Sequence, residues 1–140
     1  MKAKQLIVIL MVALLGCDGT EGTTGTVSGR ITYQGEPLTE GTIAFSSQST
    51  AVVASAAIQS DGTYDLDFAG ASQVPIGSYQ VTVHPAPAPF NPSGPPPLVT
   101  DDPRIPKRYR DPASSPLKDV IVTETDQQHD FDLTDMRQRR

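Results

Sequence analysis

About seven short segments of the chain alternate between apolar and polar residues with a period of two. Alternation of this kind, in β-branched and aromatic residues, is typical of strands that bury one face. In the first segment, for example, Val27, Ile31 and Tyr33 share one parity. The predicted strands are 27–33, 43–45, 51–58, 64–68, 77–84, 120–122 and 131–133.

The residues between these strands indicate where the chain turns. The stretch Val27–Phe45 contains two strands with glycine and proline between them, and we interpret it as a hairpin. The dipeptide Asp61-Gly62 suits the positive φ angles of a tight turn. It therefore predicts that segment 51–58 pairs with segment 64–68.

Proline interrupts this pattern in the second half of the chain. Ten of the thirteen prolines lie within residues 85–112. Because proline lacks an amide donor, no central strand is expected there, and we predict a surface excursion over 85–116 with polyproline-II character. The fold class predicted is a single antiparallel β-sandwich of about seven strands over 26–134, followed by a disordered tail over 135–140.

The N-terminal residues 1–16 have the pattern of a secretory signal. A basic start precedes an apolar run of ten residues, which is too short for a membrane-spanning helix of about 20 residues. The run ends at Cys17, the single cysteine of the chain. Residues 17–25 are polar and are predicted to form a flexible tether.

The tetrapeptide Leu14-Leu15-Gly16-Cys17 resembles the bacterial lipobox. The resemblance implies cleavage before Cys17, diacylglycerol on its thiol, and acylation of the new amino group, as with palmitate. Two or three acyl chains give stable anchoring where one chain is marginal. The chain is therefore expected in the cell envelope, held to the membrane by lipid and facing the periplasm or cell surface. The alternative is an ordinary cleaved signal with a coincidental cysteine.

Length and charge limit the classes of function. A chain of 140 residues predicts one domain. The formal net charge is −5, and it becomes −7 when Lys2 and Lys4 leave with the signal peptide. An acidic domain is a poor match for nucleic acid, which requires clustered Lys and Arg.

The order of motifs along the chain resembles the small planctomycete lipoproteins with a carboxypeptidase-regulatory-like, or transthyretin-like, β-sandwich domain. The matching motifs are VSGRITYQGEPL from Val27, GTIAF from Gly41, DGTY from Asp61, PIGSYQVTV from Pro75, IPKRYRDP from Ile105 and DFDL from Asp130. This resemblance implies a seven-stranded prealbumin-like sandwich on a lipid anchor. It implies no established activity and no family site residues.

The residue types that usually carry catalysis do not form a recognisable set. His84 and His129 have no second His or Cys at zinc-ligand spacing, and no Gly-x-Ser-x-Gly is present. We therefore predict no catalytic residue, no metal and no cofactor. The acidic pairs Asp65/Asp67 and Asp130/Asp132 are interpreted as solvent-facing strand residues, with a calcium site that includes Asp101 and Asp102 as the alternative.

Lys107, Arg108, Tyr109 and Arg110 form the one basic and aromatic cluster of this acidic chain. In one account Tyr109 packs on the sandwich while the cations pair with nearby aspartates. In the other account these four residues bind an acidic polymer or a protein partner of the envelope.

The sequence therefore favours a lipid-anchored, non-enzymatic β-sandwich that serves as a structural or interaction module. One alternative is an accessory domain that binds carbohydrate or peptide through the excursion 85–116. A second alternative is a hydrolase whose catalytic residues are scattered in the sequence.

Overall fold

A computed structural model describes residues 22–89, 91–95 and 101–135. The predicted signal peptide 1–16, Cys17 and all but the first residue of the predicted tail 135–140 lie outside the described residues. The strands are β1 (Thr24–Gly25), β2 (Val27–Tyr33), β3 (Glu36–Pro37), β4 (Thr42–Ser46), β5 (Val53–Ala57), β6 (Thr63–Asp65), β7 (Val74–Pro75), β8 (Gly77–His84), β9 (Val120–Val122), β10 (Gln127–Gln128) and β11 (Phe131–Leu133). A 3-10 helix spans Lys107–Tyr109. Among the described residues, no helix has the length and apolar character needed to cross a membrane.

The strands form the two layers of an all-β sandwich, and the predicted fold class is confirmed. In one layer β2 pairs with β3, β6, β10 and β11, and in the other the order is β5-β4-β8-β9. In the second layer Phe45 of β4 lies opposite Val81 of β8 on one side and Ala54 of β5 on the other. β1 and β7 form a separate short antiparallel ladder.

The last strands of the chain pair with the first long one. β10 and β11 run parallel to β2, with Gln127 opposite Val27 and Phe131 opposite Ile31. The other ladders of the described residues are antiparallel. A parallel pair joins strands that are distant in the chain, because it needs a long crossover connection.

The core lies between the two layers and is built around aromatic rings. Phe45 is fully buried, and its ring centroid lies 6.4 Å from that of Tyr64, 6.2 Å from that of Tyr79 and 6.2 Å from that of Phe131. The rings are tilted or edge-on, which is the arrangement that aromatic pairs favour. These residues come from four different strands, so the aromatic cluster holds both layers together.

The predicted hairpin over Val27–Phe45 is wrong, because β2 and β4 lie in different layers. The chain turns back at once through Gln34 and Gly35, whose φ angles are 52° and 86°, and β3 pairs with the end of β2. Two successive positive φ angles are typical of a two-residue type I′ turn. Leu38 then enters the core, and Gly41, with a φ of 131°, leads the chain into the second layer.

The second predicted hairpin is present only at two points. Ser55 and Asp67 exchange backbone hydrogen bonds of 3.0 and 3.1 Å, and the Gln59 amide donates to the Thr63 carbonyl at 2.9 Å. Between these points the strands separate, because β5 pairs with β4 while β6 pairs with β2. The segment is therefore the corner at which the chain passes from one layer to the other.

The faces of the strands follow the predicted alternation with one exception. Ile43, Tyr79 and Val83 are buried, as the period of two predicts. Thr82 was expected to face solvent, but it is 2% exposed. The prediction is wrong because His84 lies over this position, with its Nε2 atom 3.1 Å from Thr82 Oγ1.

Gly29 lies where the C-terminal strand approaches β2 most closely. A Cβ atom at this position would stand 1.9 Å from the carbonyl oxygen of His129 and 2.9 Å from the hydroxyl of Tyr64. The Tyr64 hydroxyl donates to the His129 carbonyl at 2.6 Å. Burial raises the pKa of Tyr64, so this hydroxyl keeps its proton.

We expect Gly29→Ala to lower the free energy of unfolding by about 2–4 kcal/mol, because the methyl group forces the two backbones apart. Chemical denaturation measures this change. Gly22→Ala is the matched control, because its Cβ meets nothing within 4 Å, and it should change stability by less than about 0.5 kcal/mol. Equal stability of the two variants would contradict the close contact at Gly29.

Candidate functional site

The return half of the proline-rich excursion, residues 101–117, folds beside β8 and carries the predicted partner-binding cluster. It begins with a turn in which the Asp102 side chain accepts the Arg104 amide at 2.9 Å and the Asp102 carbonyl accepts the Ile105 amide at 3.0 Å. Aspartate favours such turns because its carboxylate satisfies a nearby backbone donor. The chain then enters the 3-10 helix through Pro106.

The excursion was predicted to lie on the surface, and for this half the prediction is wrong. Ile105 and Ser115 are 0% exposed and Tyr109 is 3% exposed. Ser115 donates to the Val81 carbonyl at 2.6 Å, which attaches the segment to β8. Prolines remove backbone donors and so block strand pairing, but they do not prevent the side chains between them from packing.

Tyr109 connects the excursion to the end of β11. Its hydroxyl accepts the Thr134 amide at 3.1 Å. Arg108 stacks on the same ring, with its guanidinium carbon 4.7 Å from the ring centroid, and donates to the Tyr109 hydroxyl at 2.9 Å. A second hydrogen bond runs from Arg108 to the Thr134 carbonyl. Tyr109 is thus a packing residue, and Arg108 is committed to the same contact.

Arg110 holds the turn of the excursion closed. Its Nη2 donates to the carbonyls of Ile105 and Asp102 at 2.6 and 3.0 Å, and its Nε donates to Ile105 at 3.0 Å. Its Nη1 lies 2.6 Å from a carboxylate oxygen of Asp101. A planar guanidinium can serve three acceptors at once, which an ammonium group on a single point cannot do with the same geometry.

Lys107 differs from its three neighbours in the cluster. It is exposed, and its ammonium group makes no hydrogen bond or ion pair with another of the described residues. The structure therefore brings the four predicted residues together in sequence but not in role. Of the four, Lys107 alone presents an uncommitted charge to solvent.

Arg104 was missed by the sequence reasoning. Its guanidinium lies 2.8 Å from Asp102 and 3.3 Å from Glu40, and it donates to the Thr39 hydroxyl at 3.2 Å. The hydrogen bond from Arg104 lowers the pKa of Asp102, which keeps this carboxylate ionised. The only local signal was the acid–Pro–Arg order of residues 102–104, which suits an Asx turn.

A groove of about 470 Å³ opens beside Arg104. One wall is the proline-rich run 85–89, and the other is the turn 101–104, with Glu40 between them. Its walls combine flat apolar rings with the carboxylates and guanidinium of an ion-paired network. Such a combination of apolar surface and a few fixed polar groups is typical of ligand grooves.

The two histidines have separate surroundings. His84 is half-buried, and desolvation, together with the charge of Arg110, lowers its pKa, so the imidazole is neutral at neutral pH. His129 stacks on Phe131 with a centroid distance of 6.5 Å and an interplanar angle of 14°. Within residues 22–89, 91–95 and 101–135, no group of three or more His, Cys, Asp or Glu is placed to hold a metal ion.

The acidic residues of the last strand bind β2. Asp130 accepts the Arg30 amide at 2.8 Å. Asp132 accepts the Gly35 amide at 3.0 Å and the Thr32 hydroxyl at 2.8 Å. These carboxylates do face solvent, but they also link the two parallel strands.

Cys17, the predicted lipidation site, lies outside the described residues. Comparison of the chain with protein-family models, with curated proteins and with solved structures finds no match in any of the three.

We expect Arg110→Lys to lower the free energy of unfolding by about 1–3 kcal/mol, because the carbonyls of Ile105 and Asp102 lose donors that lysine cannot replace together. Thermal or chemical unfolding measures the loss. The control is Lys107→Gln, which removes an exposed charge and should stay within about 0.5 kcal/mol of the parent protein. If both variants match the parent protein, Arg110 does not hold the excursion.

Proposed function

We propose that this chain is a lipid-anchored, non-enzymatic β-sandwich of the cell envelope that acts as a structural or interaction module. The observation that carries the anchoring is the position of Cys17. The single cysteine stands where a basic start and a ten-residue apolar run end and a polar tether begins. A chain that needed its thiol for packing would place it among the strand residues instead.

The roles of the polar side chains support a module that is built for stability. Tyr64 donates its hydroxyl to the backbone of the last strand, and Asp130 accepts a backbone amide of β2. Arg110 serves two carbonyls of its own turn. Groups of this kind act on a substrate only when they face a cleft, whereas these act on the protein's own backbone.

We expect metabolic labelling with a radioactive or alkyne-bearing fatty acid to mark the full-length protein in a bacterial host, and Cys17→Ser to abolish the label and release the protein from the membrane fraction. Lys107→Gln, which leaves the junction intact, is the matched control and should label like the parent protein. A labelled Cys17→Ser variant, or an unlabelled parent protein, would contradict the anchor.

A second candidate function is an accessory domain that binds peptide or carbohydrate, and the groove beside Arg104 favours it. The groove lies within the excursion, where the sequence reasoning placed this alternative. Arg104 has a half-exposed side chain, 36% accessible, so it can reach a ligand while it stays paired with Asp102. The predicted contact residues Arg108 and Tyr109 belong to the packed side of the same segment.

If the groove binds peptide or glycan, we expect Arg104→Ala to weaken the strongest array ligand of the full-length protein about fivefold or more, because a charged hydrogen-bonding group is lost. Binding is measured by titration of that ligand, and thermal unfolding checks that the fold is kept. Lys107→Ala should bind like the parent protein. Equal loss in both variants would indicate nonspecific charge attraction in place of a groove.

A further inference from the structure

β9 is the last strand of its layer. Among the described residues it pairs only with β8, with Ile121 opposite Ser78. Ile121 is 53% exposed, although it is a large apolar residue. A strand edge with unpaired backbone groups and an exposed β-branched residue is a template for another strand.

The outer face of this layer continues the apolar and uncharged character of β9. Its outward positions carry no Asp, Glu, Lys or Arg. They are Thr42, Ala44, Ser46, Val53, Ser55, Ala57, Ser78, Gln80, Thr82, His84 and Ile121. The opposite layer, in contrast, places Arg30, Asp65, Asp130 and Asp132 outward. A neutral face can extend across a joint between two layers without repulsion.

We propose that β9 pairs antiparallel with β9 of a second copy of this chain, about a two-fold axis that passes beside Ile121. An axis perpendicular to the layer keeps the core face of both copies on one side, so outward residues must meet outward residues. Only axes that pass through a residue position of β9 fulfil this condition. The pairing would join two four-stranded layers into one of eight strands.

The charges beside β9 select one of these registers. With the axis at Ile121, Val120 lies opposite Val122 of the other copy, and Lys118 lies opposite Glu124. Lys118 and Glu124 are each three residues from the axis, so the pair occurs twice. Opposite charges in facing positions stabilise a strand pair, whereas like charges destabilise it.

The neighbouring registers lack this match. An axis at Asp119 places two aspartates opposite each other. An axis at Val120 places Ile121 opposite Asp119, and an axis at Val122 places Val120 opposite Glu124. Each of them sets an apolar residue or a carboxylate against a carboxylate, so only the axis at Ile121 pairs like with like and opposite charges together.

Both charged residues are available for this role. Lys118 is exposed and donates to the Ala113 carbonyl at 3.3 Å, a long bond that leaves two further ammonium protons. Glu124 is exposed and forms no hydrogen bond or ion pair with the other described residues. The same charges oppose registers other than this one, which gives the pairing its specificity.

The test is sedimentation velocity of the full-length protein in detergent over a range of concentrations. We expect a concentration-dependent dimer, and we expect Lys118→Glu alone or Glu124→Lys alone to raise the dimer dissociation constant about tenfold, because two attractive pairs become two repulsive ones. The double variant Lys118→Glu/Glu124→Lys restores the attraction and should associate like the parent protein. Lys107→Glu is the matched control, a charge reversal at an exposed lysine away from β9.

Three results would overturn the proposal. They are a monomer at every concentration, a dimer that neither single reversal weakens, and a double variant that stays as weak as the single ones. Ile121→Asp, which places two carboxylates at the axis, should leave only monomer, and a persistent dimer of this variant would also overturn it. Circular dichroism confirms that each variant keeps its strands, and labelling at Cys17 separates this outcome from failure of the lipid anchor.

Discussion

The contact between β2 and the C-terminal strand is the constraint on which the rest of the sandwich depends. β2 is the central strand of its layer, and it needs a partner on both sides. One partner, β6, is close in sequence, but the other is about a hundred residues away, where Asp130 accepts the Arg30 amide. The layer is therefore complete only after the whole chain, including the excursion, has folded. Pairing between such distant segments carries a large loop-closure cost, so the sandwich is expected to form cooperatively and late.

The faces of the strands could be predicted from sequence, whereas their partners could not. Burial of Phe45 or Tyr79 follows from a period of two, which is a property of a few consecutive residues. Pairing depends on how the connections run. The hairpin over Val27–Phe45 failed because Gln34 adopts a positive φ angle without being glycine, and this gives no signal in the sequence. The chain then folds back on β2 and crosses to the other layer.

The candidate site was predicted in place but not in its chemistry. Four neighbouring residues looked alike as a basic cluster, yet Arg108 stacks on Tyr109, Arg110 binds the carbonyls of its turn, and Lys107 faces solvent. Their different roles arise from the single turn of 3-10 helix, which points successive side chains in different directions. Arg104 is more accessible to a ligand than Arg108, because its partner Glu40 comes from the other end of the fold. No local pattern could have joined these two positions.

The proposed lipid anchor and the proposed pairing of β9 are compatible in geometry, and together they strengthen each other. A Cβ at Gly25 would lie 1.9 Å from the Thr123 carbonyl, so the chain enters the sandwich beside the end of β9. In the two-fold dimer each Thr123 lies two residues from the axis, and the two entry points are about 14 Å apart at equal height along it. Both tethers therefore reach one membrane plane. Confinement to that plane raises the effective concentration of β9 far above its value in solution, so an interface of only a few residues becomes populated on the membrane while it stays weak elsewhere.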